Sequence, residues 1–286
     1  MRSWTKLAVL LVAVAATGFI PASSVPQVSH ASPCVPIEGL SLPEPQTTDL
    51  RLPVVVHYMV RTGSRHDVAD QITPAMLQDL FGEHGRVISL WQQAGIRPYL
   101  RRVEKCRISF ATFGLSVNRE EELPSPAGST AAKTLFRRIN ETYNARDVSG
   151  LDLYVWWGIQ KVAGYGDRYV DAGRWRAGAA WIDKDCRANH SCDLLIAHEV
   201  GHFLGLCHAC TIGAPLRVEC TRCLPDSMKK PNGAFVLASC DLITGPRLMR
   251  DDNLTLLEPH KVEGTELSAC ERKLAKEFAT RRIGAH

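Results

Sequence analysis

Between residues 198 and 208 the chain reads His198-Glu199-Val200-Gly201-His202-Phe203-Leu204-Gly205-Leu206-Cys207-His208, and no other stretch restricts local structure as tightly. His198 and His202 are four apart, and on a helix such residues project from one face. Glu199 stands one step round the helix, beside whatever the two rings grip. Gly205 lets the helix stop and the chain turn left-handed, which costs a residue with a Cβ about 1 kcal/mol. The turn brings His208 back towards the other two rings. Upstream, Asp193-Leu194-Leu195-Ile196-Ala197 is apolar enough for a buried helix start, with Asp193 as its expected N-cap.

Three imidazoles at this spacing form a ligand set for zinc. Three protein nitrogens leave one tetrahedral position to water, which marks a catalytic site rather than a structural one. Two histidines four apart also occur on amphipathic helices where they are merely packed or solvated. The five fixed positions of this motif make that reading the weaker one.

The pattern resembles the metzincin clan of zinc endopeptidases, whose long motif has this form. The resemblance implies a zincin-like α/β (α+β) fold. A twisted mixed sheet and the active-site helix would form an upper lobe, residues 50–205. An irregular, disulfide-rich lower lobe, residues 206–286, would end in a C-terminal helix. It also implies a methionine turn beneath the metal. Met249, within Gly245-Pro246-Arg247-Leu248-Met249-Arg250-Asp251-Asp252, is preferred to Met228, which sits in a polar loop between cysteines. Some clan members place a tyrosine ligand two residues after that methionine; here the position is Asp251, so no tyrosine ligand is expected. Ala209 follows His208 and matches none of the usual subgroup marks. The opening strand and the later cysteines are most similar to pappalysin-like or reprolysin-like enzymes.

On this resemblance His198, His202 and His208 hold one Zn²⁺, and Glu199 acts as general base and acid in peptide hydrolysis. Met249 is a structural floor under the ligands rather than a ligand itself. The alternative is a secreted zinc-binding module that keeps the fold and cuts nothing; the intact Glu199 argues against it.

The N-terminus sets the compartment. Arg2 and Lys6 precede an apolar run, Leu7 to Ile20, too short to span a bilayer comfortably, and small residues follow. Residues 1–31 therefore read as a secretory signal peptide, and the mature chain as secreted, with no membrane segment. In that setting ten cysteines imply disulfides. Cys186 and Cys192 bracket a short loop that a disulfide would staple. Cys207-x-x-Cys210 and Cys220-x-x-Cys223 have the spacing of a zinc ribbon, but export and the crowding of His208 favour disulfides. Residues 32–49, with four prolines, read as a linker or short propeptide remnant. A latency role for Cys34 on the open metal position would leave an odd cysteine, so a disulfide is the better reading.

The net charge is +4, of which Arg2 and Lys6 supply two. That excess gives no case for nucleic acid, and protein or peptide substrates are the expected partners. Arg101-Arg102 and Arg137-Arg138 read as solvated faces. Asp183, Asp185 and Asp251-Asp252-Asn253 would suit a calcium ion, but surface loops carry such residues anyway, so no calcium site is counted on.

Hydrophobic patterning supplies the remaining elements. Arg51 to Val60 is a β-branched central strand, with His57 read as a packed strand residue. Thr73-Pro74 starts a helix that carries Leu77, Leu80, Phe81, His84, Val87, Ile88 and Trp91 at helical spacing and closes at Gly95. Ile96 to Cys106 is a second strand, Ser129 to Tyr143 a helix, and Leu151 to Ile159 a strand in which Trp156 and Trp157 are core. Val162 to Gly166 is either an edge strand or a Gly-rich loop. Arg176 to Asp183 precedes the motif helix, and Ser268 to Arg282 closes the chain as a helix.

Overall fold

The chain divides into residues 1–31 and 32–286. A computed structural model describes residues 34–61, 74–109, 113–114, 123–124, 129–144, 150–156, 164–167, 170–171, 174–175, 179–183, 192–206, 248–249 and 265–283. The expected signal peptide, His208, Met228, Trp157, Asp185, Asp251–Asn253 and the cysteines from 207 to 240 lie outside these residues. Among the described residues no helix is long and apolar enough to cross a membrane.

Runs of β-branched and aromatic residues build a mixed six-stranded sheet. Its members are β1 (Cys34–Pro36), β2 (Leu50–Arg61), β3 (Ile96–Ile108), β4 (Leu151–Trp156), β5 (Gly164–Asp167) and β8 (Ala179–Asp183), in the order β1-β3-β2-β4-β8-β5. The inner strands run parallel, and β1 and β5 close the two edges antiparallel. Parallel strands buried on both faces read as continuous apolar runs; Val54, Val55, Val56, Tyr58 and Met59 are all buried. A separate pair, β6 (Val170–Asp171) and β7 (Arg174–Trp175), forms a two-stranded ribbon. Gly164–Asp167 is thus an edge strand, and the alternative of a plain Gly-rich loop falls away.

The helix expected from Thr73 to Gly95 is two helices, α1 (Pro74–Phe81) and α2 (Arg86–Gln92). The apolar spacing runs through the break, so periodicity alone hides it. Glycines make the break: Gly85 N–H donates to the Gly82 carbonyl at 2.9 Å, and a β-carbon on Gly85 would collide with the Leu80 carbonyl. α3 (Thr130–Tyr143) starts at Ser129, whose hydroxyl accepts from Ala132 N–H at 3.1 Å. Such a cap contributes about 1 kcal/mol. The path from β2 through α1 and α2 to β3 steps one way along the sheet, and the path from β3 through α3 to β4 steps back the other way. With right-handed crossovers this puts α3 on the face opposite α1 and α2.

The motif helix, α4 (Cys192–Phe203), begins two residues earlier than an N-cap at Asp193 would give. Asp193 lies in its first turn rather than at the N-cap, and its carboxylate meets the Arg86 guanidinium at 3.0 Å. α4 packs on α2, where the buried Trp91 indole N–H donates to the Ala197 carbonyl at 3.2 Å. α5 (Ala269–Ile283) starts with a capping box: Ser268 N–H donates to the Glu271 carboxylate at 2.6 Å, and Glu271 N–H donates to the Ser268 hydroxyl at 3.1 Å. Gln93 ties the approach to α5 onto α2 through the Thr265 carbonyl and Leu267 N–H.

Residues 34–49, expected as a linker or propeptide remnant, run along the sheet. β1 pairs with β3, Ile37 and Leu42 donate to the Val103 and Leu100 carbonyls, and Leu40 is buried. Their prolines suit an edge path, since a strand there needs few donors. Of the expected lower lobe, the described part is Leu206, Leu248–Met249 and residues 265–283.

Candidate metal centre

α4 is buried along almost its whole length, including His198 and Glu199. Its last turn ends as the motif requires: Gly205 has φ +83°, and the Phe278 ring of α5 lies within 2.9 Å of where a β-carbon would stand. Gly205 is therefore needed twice, for the left-handed turn and for the close approach of α5.

The rings of His198 and His202 meet edge to face, centroids 4.8 Å apart and planes at 88°. Each ring has one nitrogen held by a backbone carbonyl. His198 Nδ1 lies 2.7 Å from the Leu248 oxygen, and His202 Nδ1 lies 3.0 Å from the Leu206 oxygen. A carbonyl only accepts, so both Nδ1 atoms carry the proton, and in the neutral rings Nε2 is the unprotonated nitrogen. Metal-ligating histidines are held in this way, with the second nitrogen donating to a carbonyl or carboxylate. The donor set thus fits a zinc ion. His208 lies outside the described residues, so the third ligand rests on the sequence motif.

Met249 is fully buried beneath α4. A β-carbon on Gly201 would strike its thioether and would come within 3.5 Å of Trp91. The same turn supplies the Leu248 carbonyl that holds His198, and Leu248 N–H donates to the Glu266 carbonyl at 2.9 Å. One turn thus orients a ring and floors the helix. Edge strand β5 lies on the other side of α4. A β-carbon on Gly166 would stand 2.6 Å from His202 Cβ, 2.8 Å from the Glu199 carbonyl and 3.0 Å from the Glu199 carboxylate. Sequence reasoning passed over Gly201 and Gly166. The available signal was a glycine inside a helix or strand, which weakens both and calls for a packing reason.

A second constellation lies at the β1 end of the sheet. Among the described residues, Cys34, His57, Glu104 and Cys106 form one buried group of potential metal ligands, their donor atoms within 4.8 Å of one another. Cys34 and Cys106 are bonded to each other as a disulfide. His57 is more than the packed strand residue expected. Its Nε2 donates to Asp152 Oδ1 at 2.7 Å and its Nδ1 faces Glu104 Oε2 at 3.2 Å, all three residues being buried. Tyr154 stacks on the ring at 4.7 Å. Burial works against the charged imidazolium, but the hydrogen bonds and charges of Asp152 and Glu104 outweigh it and raise the His57 pKa. Burial likewise opposes ionisation of Glu104, yet His57 and Arg102 hold its pKa below the usual value. Arg102, expected on a solvated face, turns its Nε to Glu104 Oε1 at 2.6 Å.

A bulge builds this group. The β2–β3 register shifts between Val54 and Val55, leaving Arg101 without a partner on β2. Beyond it Arg102, Glu104 and Cys106 stand opposite Val55, His57 and Met59. A bulge re-aims the side chains that follow, and here it sends Glu104 and Cys106 towards His57. Tyr154, which shares the face, donates its hydroxyl to Asn140 of α3 at 2.9 Å. The chain matches no protein-family model and no curated protein sequence.

Proposed function

We propose that this chain is a secreted zinc endopeptidase of the metzincin kind. The observation that carries the reading is the ring pair on α4. Two imidazoles meet at 4.8 Å with each Nδ1 proton committed to a backbone carbonyl. One of those carbonyls belongs to the residue before Met249, whose thioether lies against Gly201. His198, His202 and His208 would hold the ion, the last of them by its place in the motif. A bound zinc ion supplies Lewis-acid polarisation of water and of a scissile carbonyl.

The chain's own groups do the rest. Glu199 stands between the two histidines in the sequence of α4 and is buried, so its carboxylate works at low dielectric, where it takes a proton from water and returns it to the leaving amine. β5 is the last strand of the sheet and abuts Glu199 through Gly166. An extended peptide added to such an edge pairs its backbone with the strand, which would carry its scissile bond past Glu199. Export rests on residues 1–31, whose basic start and short apolar run have the form of a signal peptide.

The test is incubation of the purified full chain with a denatured protein, followed by mass spectrometry of new termini. Cleavage is expected, to stop with 1,10-phenanthroline and to return with added zinc. Bound zinc without new termini would instead favour the non-catalytic module and overturn the reading.

A further inference from the structure

The buried group around His57 is costlier than a structural disulfide requires. A disulfide needs no charged neighbours, and buried ion pairs are often no more stabilising than apolar residues of the same volume. Here His57, Glu104 and Asp152 are buried beside Cys34 and Cys106. His57 Nδ1 lies 3.5 Å from Cys106 Sγ and 3.2 Å from Glu104 Oε2. Its other nitrogen donates to Asp152 at 2.7 Å, the outer-shell partner that metal-bound histidines have. Tyr154 fixes the ring plane, and Arg102 offsets the charge of Glu104.

We propose that the Cys34–Cys106 disulfide closes a second zinc site, distinct from that on α4, and that reduction opens it. The opened ligand set is Cys34 Sγ, Cys106 Sγ, His57 Nδ1 and a Glu104 oxygen, with Asp152 holding the imidazole from behind. Two thiolates, an imidazole and a carboxylate suit tetrahedral Zn²⁺. A dithiol gives two electrons and two protons to the S–S bond and leaves as its own disulfide, yielding two thiols. Zinc binding then releases both thiol protons and the Nδ1 proton of the His57 imidazolium. Access comes through β1, a three-residue edge strand whose local opening uncovers Cys34. Sulfurs joined in an S–S bond are not thiolates, so the disulfide and the zinc site exclude each other.

The test uses the folded full-length protein and a phosphine reductant, because a dithiol competes for zinc. The phosphine becomes its oxide. The protein is then treated with iodoacetamide with or without Zn²⁺, and peptides containing Cys34 and Cys106 are quantified. Zinc should slow alkylation of both cysteines together. Asp152→Asn should need about 10–100-fold more zinc for equal protection, and His57→Gln should lose it, with circular dichroism checking that each variant is folded. The α4 site contributes no cysteine to this readout, so failure of the endopeptidase reading leaves the result interpretable. Equal alkylation with and without zinc overturns the proposal. So does protection that survives His57→Gln, or a disulfide that resists the phosphine until the protein unfolds.

Discussion

The thioether of Met249 occupies the space that a β-carbon on Gly201 would need. Glycine inside a helix costs about 0.5–1 kcal/mol relative to alanine, so its presence in the middle of α4 needs a packing reason, and Met249 supplies one. Gly201→Ala should gain that helix propensity and lose about 1–3 kcal/mol to overpacking against Met249 and Trp91. The net expectation is a lower melting temperature and weaker zinc retention. Met249→Ala makes room, so the double variant should cost less than the two singles added. Additive effects in thermal melts would show that the two residues do not press on each other.

Glu199 shares α4 with the ring pair and is buried, as is His198. Glu199→Gln keeps the shape and removes the exchangeable proton site. Peptide cleavage should fall by about 10²–10⁴-fold, the usual share of general acid–base catalysis, while zinc measured by elemental analysis stays at wild-type level. Wild-type turnover in this variant would rule out the proposed role of Glu199.

Gly166 sets how closely β5 approaches α4. Gly166→Val places a β-carbon against His202 Cβ and the Glu199 carbonyl, both within 2.8 Å. β5 must then move outward, at a cost of about 1–3 kcal/mol. The edge that a peptide would pair with moves away from Glu199, so kcat/KM should fall as well. An unchanged melting temperature would mean that β5 is not seated on α4.

The His57 network predicts how stability depends on pH in the disulfide form. His57 faces Asp152 of β4, Glu104 and Cys106 of β3, and Tyr154, with Arg102 behind Glu104. Its pKa is raised above the ordinary 6.5. The stabilisation is therefore complete below the unfolded value and is lost as pH climbs through the folded one. Glu104, whose pKa is lowered from 4.5, contributes above its unfolded value and is lost as pH falls through the folded one. Stability from this group should peak between these limits. Thermal melts from about pH 6 to about pH 9 should fall more steeply for wild type than for His57→Gln. Parallel slopes would show that the fold does not raise the His57 pKa.

Local sequence determined much of this protein. The run from 192 to 206 is legible because the 3.6-residue period and the glycine turn act within a few residues. That suffices to put His198 and His202 on one face and to end α4 at Gly205. The apolar strands and the Ser129 and Ser268 caps are local in the same sense. Other features depended on partners far along the chain. His57 meets Asp152 across 95 residues and Cys106 across 49, and Cys34 pairs with Cys106 across 72. No periodicity encodes those distances. They follow from strand order, and from a bulge that shifts the register by one residue and turns Glu104 towards His57. Gly166 and Gly201 belong with them, since a glycine's reason is the atom that a β-carbon would strike, and in both cases that atom lies on a different element. Sequence alone thus selected the two histidines and their spacing on one helix, because a helix repeats its own geometry. The sheet decided which buried charges would meet, because register is a property of two strands and is written in neither.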